Sequence, residues 1–336
     1  MSSSSSQPPK PPIVNSIRNA EPLPQIPVAY RSKPKALHQA SESARQVALP
    51  KVLIQTDPAH FTKAADDFLD ANAFPDLDGM PVSMEDPSLI FHRNESDVTR
   101  SIEHSINREV SLVLIKGHDP AMLSMDSTTQ AWSKTVVSNP KPWEPSEVTR
   151  VPDWVAKCTL KPFKGRQIKS TLVLEYKDRG LTCVDEILRQ CTEEEWYEGQ
   201  AHQAMREIRN RASGPRRAAW KSTVRRHQPY SVRNTSRVQS TLGRKEPCAF
   251  TANVETLLQQ VTTYAVAEGA PRVGLTDYLT LILFEFLDLP QHRTELARLR
   301  AGPGRRVRVV VSKDNEHQSD IRRILLGVWL QSIQGQ

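Results

Sequence analysis

Apolar residues at helical spacing mark the clearest predicted helix of this chain, over residues 252–267. They form one stripe, which consists of Val254, Leu257, Leu258, Val261 and Ala265. Because about 3.6 residues make one helical turn, this spacing puts the whole stripe on one face. The same kind of spacing predicts further helices over 61–74, from Ser96 onward, over 184–211 and over 321–333.

Short apolar runs predict the strands. In the run 169–177 side chains alternate between faces, so Leu172, Leu174 and Tyr176 share one face while Glu175 and Lys177 share the other. Further strands are predicted at 148–158, 272–276, 279–287 and 307–311. The segment 126–137 is ambiguous, and 110–115 fits either a strand or the end of a helix. This mixture predicts an α+β domain with an antiparallel component.

The first part of the chain has a different composition from the rest. The first 50 residues hold nine of the 25 prolines, a run of serines and almost no periodic apolar pattern. Such a segment cannot bury enough apolar surface to offset its conformational entropy. We therefore predict a disordered tail over residues 1–55 and one folded domain over residues 56–333.

Targeting and membrane signals are weak in this sequence. No apolar leader follows Met1, and the longest strongly apolar stretch, 279–284, is far too short to cross a bilayer. We expect an intracellular protein that has no membrane partner.

Four cysteines lack the Cys-x2-Cys pairing of zinc sites, so we expect reduced structural thiols.

The net charge of +7 is concentrated in one segment, residues 200–248. Residues 201–246 carry twelve Lys or Arg against two Glu, a balance of +10, which leaves the remainder of the chain at −3. Arginines interleaved with Trp220 and Tyr230 are typical of phosphate contacts and base stacking. They are equally typical of a nuclear import signal or of a solvated flexible insertion. The candidate phosphate-binding residues are Arg209, Arg211, Arg216, Arg217, Lys221, Arg225 and Arg226.

The strand at 169–177 also carries the most specific chemistry. Glu175 and Lys177 direct a carboxylate and an ammonium to the same side of a buried strand. Charged side chains are rarely buried unless they are paired or have a function. Asp153 lies in the preceding predicted strand and could bring a second carboxylate alongside. Two acidic groups and a lysine suit Mg²⁺-assisted attack on a phosphodiester. The alternative is that Glu175 and Lys177 form a surface ion pair of little consequence.

Three elements in order, Pro152-Asp153, Glu175-Tyr176-Lys177 and Gln260-Val-Thr-Thr-Tyr264, resemble the PD-(D/E)xK superfamily of restriction-endonuclease-like nucleases. Glu175 and Lys177 form the only acidic-x-Lys of the chain, and Gln260 and Tyr264 its only Gln-x3-Tyr. The latter signature is similar to that of the RecB and lambda-exonuclease-like branch. The resemblance covers residues 90–333, and the apolar tail resembles fungal members.

The resemblance implies a fold and a division of roles. The fold would be an α/β/α sandwich-like, restriction-endonuclease-like core whose order is helix, three antiparallel strands, helix, strand around a mixed central sheet. The first of these strands has no clear counterpart in the sequence. Asp153 and Glu175 would bind Mg²⁺ or Mn²⁺, and Lys177 would orient the attacking water. Gln260 and Tyr264 would position a substrate phosphate or the lysine.

In that family a glutamate on the first core helix often joins the metal site. Glu95 and Glu103 are the candidates here, and for each alone a solvated or helix-capping carboxylate is the competing interpretation.

The sequence thus predicts a Mg²⁺-dependent nuclease that acts on nucleic acid, DNA rather than RNA, in the nucleus. Two alternatives remain open. A catalytically inactive module would keep the nuclease-like fold and use it to bind nucleic acid or protein. An intracellular scaffold would use its basic insertion only as a nuclear address.

Overall fold

The structure of the 336-residue chain is a computed structural model. The described residues are 13–27, 48–74, 77, 92, 95–118, 123–129, 133–136, 147–150, 154–160, 168–177, 184–193, 252–290, 301–315 and 317–334.

Helices and strands are distributed along the whole of these ranges. The helices are α1 (Ile13–Arg18), α2 (Ala59–Ala71), α3 (Glu95–Ile102), a π-helical turn (Glu103–Asn107), α4 (Arg108–Lys116), α5 (Val184–Leu188), α6 (Ala252–Glu268) and α7 (Ile321–Gln334). The strands are β1 (Val52–Gln55), β2 (Leu123–Thr129), β3 (Ser133–Val136), β4 (Glu147–Arg150), β5 (Trp154–Leu160), β6 (Ile168–Tyr176), β7 (Thr192–Glu193), β8 (Arg272–Thr276), β9 (Thr280–Phe286) and β10 (Arg306–Lys313).

One mixed sheet organises the molecule, with the strand order β2-β5-β6-β8-β9-β10-β1-β7. The pairs β2–β5 and β5–β6 are antiparallel, and β6 then pairs in parallel with β8. A parallel pair needs a crossover connection, which here includes α6. Strands β8, β9 and β10 are antiparallel again, and β3 and β4 form a separate two-stranded sheet.

Helices cover both faces of the main sheet, so the predicted α+β, sandwich-like architecture is confirmed. On one face α1 to α4 and α7 enclose the first core, which includes Leu174 and Tyr176 of β6. On the other face α5 and α6 enclose the second core, which includes Val173. Alternation along β6 therefore divides its side chains between two separate cores.

Helices α2 and α7 pack closely because a glycine lies at their contact. A Cβ atom added at Gly327 would lie 1.9 Å from the carbonyl oxygen of Phe61. No side chain fits at that distance, so only glycine allows this approach. None of the helices in the described ranges is long and apolar enough to cross a membrane.

The first 55 residues contain ordered elements that the composition concealed. Ile13, Val14 and Ile17 of α1 are buried in the first core, and β1 pairs in parallel with β10. The predicted tail is therefore wrong for residues 13–27 and 48–55, while 1–12 and 28–47 lie outside the described residues. Three apolar residues within five positions are too short a pattern to stand out among prolines.

Three further predictions of local structure are corrected. The helix predicted over 184–211 ends at Leu188, because Thr192–Glu193 pairs with β1 instead; residues 194–211 lie outside the described ranges. The strand predicted at 148–158 is divided between β4 and β5. Segment 110–115 is helical, and the ambiguous region 126–137 contains β2 and β3.

A buried ion pair joins the ordered N-terminal segment to two helices. Arg322 of α7 donates to Glu109 Oε2 of α4 at 2.8 Å, to Ser16 Oγ at 3.0 Å and to the Glu21 carbonyl at 2.5 Å. The side chains of Arg322 and Glu109 are 2% and 0% exposed. Burial raises the pKa of Glu109 to about 7, against the opposing charge of Arg322. The pair is thus fully ionised only above neutral pH.

Removal of this carboxylate should strongly destabilise the protein. At pH 8 we expect Glu109→Ala to lower the free energy of unfolding by about 3–5 kcal/mol, because Arg322 would keep a buried charge without its counterion. The exposed pair Lys63–Asp67 provides the control, and Asp67→Ala should cost no more than about 1 kcal/mol. Denaturant unfolding of both variants measures the difference, and equal losses would contradict the expectation.

The raised pKa of Glu109 also predicts a pH dependence. Because its folded-state pKa of about 7 exceeds the ordinary glutamate value of 4.5, the folded protein binds this proton more tightly than the unfolded chain. The free energy of unfolding should therefore fall between about pH 4.5 and about pH 7. Glu109→Gln should remove that component, and equal slopes for both proteins in denaturant titrations across this range would exclude it.

Candidate active site

The candidate site lies at the carboxyl end of β6. Val173 packs in the second core, so alternation places Glu175 and Lys177 in the same layer, beneath α6. Leu172, Leu174 and Tyr176 fill the first core on the opposite face, as the sequence predicted. Both charged side chains are consequently held at the border of an apolar core.

Glu175 and Lys177 form a direct ion pair in this layer. Lys177 Nζ donates to Glu175 Oε1 at 2.6 Å, and the two side chains are 10% and 7% exposed, respectively. The second carboxylate oxygen, Glu175 Oε2, is buried and has no hydrogen-bond partner among the described residues. The desolvation free energy of a buried ion pair is often larger than the free energy of its Coulomb attraction. A buried oxygen without a hydrogen bond destabilises the folded state further. This oxygen can accept a cation or a proton.

Tyr176 fixes the strand from the other face. It is fully buried, and its hydroxyl accepts a hydrogen bond of 2.6 Å from Asn107 Nδ2. Asn107 belongs to the π-helical turn between α3 and α4, a geometry found mostly as short insertions at functional sites. The residue between the two charged positions is thereby anchored, which limits movement of the Glu175–Lys177 pair.

The neighbouring strand β8 is followed by a carboxylate, Asp277, that the sequence analysis did not name as a site residue. Strand β8 pairs in parallel with β6, with Glu175 opposite Leu275, and the Lys177 amide donates to the Thr276 carbonyl at 2.9 Å. Asp277 follows β8 directly and is only 3% exposed. No sequence pattern identifies Asp277, because the strand that lies beside β6 is determined by the sheet order.

Helix α6 carries the two remaining residues of the Gln-x3-Tyr pattern. It packs against both β6 and β8, and Tyr264, 8% exposed, belongs to the second core together with Val173. Gln260 is half-buried on the same helix, and its Oε1 is buried and has no hydrogen-bond partner in the described structure. The structure therefore brings Gln260 and Tyr264 into the layer that contains Glu175 and Lys177.

The candidate glutamates of the first core helix occupy a different layer. Helix α3 begins at Glu95, whose side chain lies outside the described part of the structure. Glu103 begins the π-helical turn, and burial raises its pKa above the ordinary value. The apolar stripe of this helix, which includes Ile102 and Ile106, belongs to the first core. Glu103 is thus part of a helical segment that packs on one face of the sheet, whereas the Glu175 side chain lies on the other face.

Asp153 and the seven candidate basic residues between 209 and 226 lie outside the described residues. Asp153 directly precedes β5 in the chain. The first residue of β5, Trp154, pairs with Leu174, the residue before Glu175.

The donor atoms of this layer were tested against a divalent cation. Within the described ranges, no group of three or more His, Cys, Asp or Glu side chains could hold a metal ion. Glu175 and Asp277 supply carboxylate oxygens, the type that Mg²⁺ and Mn²⁺ prefer, and Glu175 Oε2 has no other partner. The donor type therefore suits such an ion, but the described residues supply only two carboxylates, and a third would have to come from Asp153, the ligand that the sequence suggests.

A scan against protein-family models and a search of curated proteins found no match to this chain.

Replacement of the ion pair by apolar residues should reveal its energetic cost. We expect the double variant Glu175→Leu/Lys177→Met to be as stable as the original protein or more stable, by up to about 4 kcal/mol, because a buried ion pair seldom repays its desolvation. The single variant Glu175→Leu should instead lose about 3–5 kcal/mol, since Lys177 would lose its counterion. Denaturant unfolding in the presence of a chelator measures both values. A double variant as unstable as the single one would mean that the pair stabilises the fold.

Proposed function

We propose that this protein is a Mg²⁺- or Mn²⁺-dependent nuclease of the PD-(D/E)xK type, which hydrolyses phosphodiester bonds in nucleic acid. The observation that carries the proposal is the buried Glu175–Lys177 pair at the end of β6, with Glu175 Oε2 buried and unsatisfied. A buried ion pair seldom adds to the stability of a fold, whereas a metal-dependent active site uses such a carboxylate oxygen as a ligand.

The topology supports the same proposal. The order expected for this superfamily is a helix, three antiparallel strands, a helix and a further strand. The described elements follow this order as α3–α4, β2, β5, β6, α6 and β8, with β8 parallel to β6. In this assignment strand β2 would correspond to the first strand, which the sequence did not identify. The β3–β4 pair is an addition between β2 and β5.

The positions of the motif residues fit their proposed roles. Glu175 would hold the cation together with Asp153, which directly precedes β5 in the chain. When bound, the ion would polarise the phosphate and lower the pKa of an attacking water. Lys177 would orient that water and offset charge on the phosphorus.

Helix α6 would provide the contacts that position the substrate. The unsatisfied Oε1 of Gln260 accepts hydrogen bonds, so we assign it to Lys177 or to a water at the phosphate. Tyr264 lies in the second core, which limits it to orienting its neighbours. Residues of this type affect the rate less than the groups that bear charge in the transition state.

The substrate class follows from charge. The balance of +10 within residues 201–246 attracts phosphates without sequence preference. We propose that this segment, which lies between β7 and α6 in the chain, delivers DNA to the site. We also propose that it directs the protein to the nucleus.

Substitution of the paired residues should abolish metal-dependent cleavage. We expect Glu175→Ala and Lys177→Ala each to lower the rate about a hundredfold or more, because each removes a charge next to the reacting phosphate. Gln260→Ala should cause a smaller loss. The measurement is cleavage of single-stranded DNA, double-stranded DNA and RNA by the full chain in Mg²⁺ and in Mn²⁺.

An exposed carboxylate in another layer supplies the matched control. Asp70→Asn on α2, where the Asp70 side chain is 76% exposed, should leave the rate unchanged. Cleavage that persists in Lys177→Ala would identify a contaminating nuclease. If the protein binds DNA but cleaves none of the substrates with either metal, the proposal fails in favour of a catalytically inactive binding module.

A further inference from the structure

We propose that Asp277 is a further carboxylate of this site, which holds Lys177 from the neighbouring strand and so leaves the second oxygen of Glu175 available to the divalent cation. The inference rests on the proposed function and extends it to a residue outside the three sequence motifs.

The backbone hydrogen bonds place Asp277 next to Lys177. In a parallel ladder, an amide that donates to one residue of the neighbouring strand lies opposite the residue that follows. The Lys177 amide donates to the Thr276 carbonyl at 2.9 Å, so Lys177 lies opposite Asp277. This continues the register of Glu175 with Leu275 and Tyr176 with Thr276. Neighbouring strands are about 4.8 Å apart, which is within reach of the two side chains.

Alternation along β8 directs Asp277 toward the same layer as the ion pair. Val273 and Leu275 lie in the second core, four and two residues before Asp277, respectively. Between them, a Cβ atom at Gly274 would meet Leu174 and Leu281 of the first core. Asp277 therefore continues the series that faces α6, as Glu175 and Lys177 do on β6.

The turn that follows holds Asp277 in place. Its amide donates to the Thr280 carbonyl at 3.2 Å, and the next residue, Tyr278, has a φ of 82°. A left-handed tyrosine costs on the order of 1 kcal/mol or more and persists only where surrounding contacts determine it. Tyr278 is fully buried, and its hydroxyl donates to the Pro24 carbonyl at 3.1 Å. Such strain, adjacent to a buried carboxylate, is typical of functional positions.

The charges of this layer indicate a cation. Glu175, Lys177 and Asp277 are each at least nine-tenths buried and together carry one net negative charge when ionised. Lys177 binds Glu175 through Oε1 alone, and Oε2 has no partner among the described residues. A second carboxylate that restrains the ammonium prevents it from covering both oxygens of Glu175. The remaining negative charge then favours a divalent ion at Oε2.

Titration of the full chain with Mn²⁺ tests the inference without reference to catalysis. Isothermal titration calorimetry should show that Asp277→Asn raises the Mn²⁺ dissociation constant about 10- to 100-fold, the usual effect of removing a group that orients a metal site. Asp277→Glu, which restores the charge, should recover part of the affinity. Asp288→Asn, which breaks a carboxylate–arginine pair beyond the far end of β9, should leave Mn²⁺ binding unchanged.

A second background separates positioning from an effect on folding or direct ligation. In Lys177→Met, where the ammonium is absent, Asp277→Asn should change the Mn²⁺ affinity by no more than about twofold, because a residue that acts through Lys177 has nothing left to position and the two changes are coupled. If Asp277→Asn lowers the Mn²⁺ affinity as much in Lys177→Met as in the original protein, Asp277 does not act by positioning Lys177. If Asp277→Asn does not fold, Asp277→Ser replaces it, and the same changes in Mn²⁺ affinity are expected.

The two proposals fail differently. If the original protein binds Mn²⁺ and Asp277→Asn binds it equally well, the role of Asp277 is excluded while the nuclease proposal stands. If the folded original protein and Glu175→Gln both fail to bind Mn²⁺, the metal-dependent function itself is excluded.

Discussion

The parallel pairing of β6 with β8 determines where the candidate chemistry lies. It requires α6 to cross over the sheet, and α6 is the element that carries Gln260 and Tyr264. The same pairing places Asp277 beside Lys177 through the hydrogen bond from Lys177 to Thr276. An antiparallel or displaced register would move every second side chain to the other core. One backbone ladder thus brings together residues that are about a hundred positions apart in the chain.

Two buried ion pairs of this protein illustrate two different uses of buried charge. The guanidinium of Arg322 has Glu109, Ser16 and Glu21 as partners, so this pair links α7, α4 and the segment after α1. Each pair leaves one carboxylate oxygen without a partner among the described residues, Glu109 Oε1 in the first and Glu175 Oε2 in the second. Lys177 and Glu175 lie two residues apart on one strand, so their pair joins no distant elements of the fold. That difference, and not the unsatisfied oxygen alone, makes the end of β6 the candidate site.

Much of the fold could be predicted because long periodic segments determine their own structure. The stripe on α6, the alternation on β6 and the strands β8 to β10 all emerged from the spacing of apolar residues. Elements that depend on distant partners did not. Strand β7 has two residues and exists because β1 is beside it, and α1 is six residues long among prolines. For the site, the motif residues on β6 and α6 were found, whereas Asp277 and Asn107 depend on sheet order and a π-helical turn.

The N-terminal segment has a practical consequence for how this protein is handled. Residues 13–27 supply apolar side chains to the first core, hydrogen-bond partners to Arg322, and the Pro24 carbonyl that receives the hydroxyl of Tyr278. A protein shortened to the more regular region after residue 55 would expose that core and leave a buried arginine with fewer partners. It would also lose the β1 strand on which β7 depends. Aggregation or poor solubility of such a fragment would then reflect a missing part of the fold, with no bearing on whether the intact protein is an enzyme.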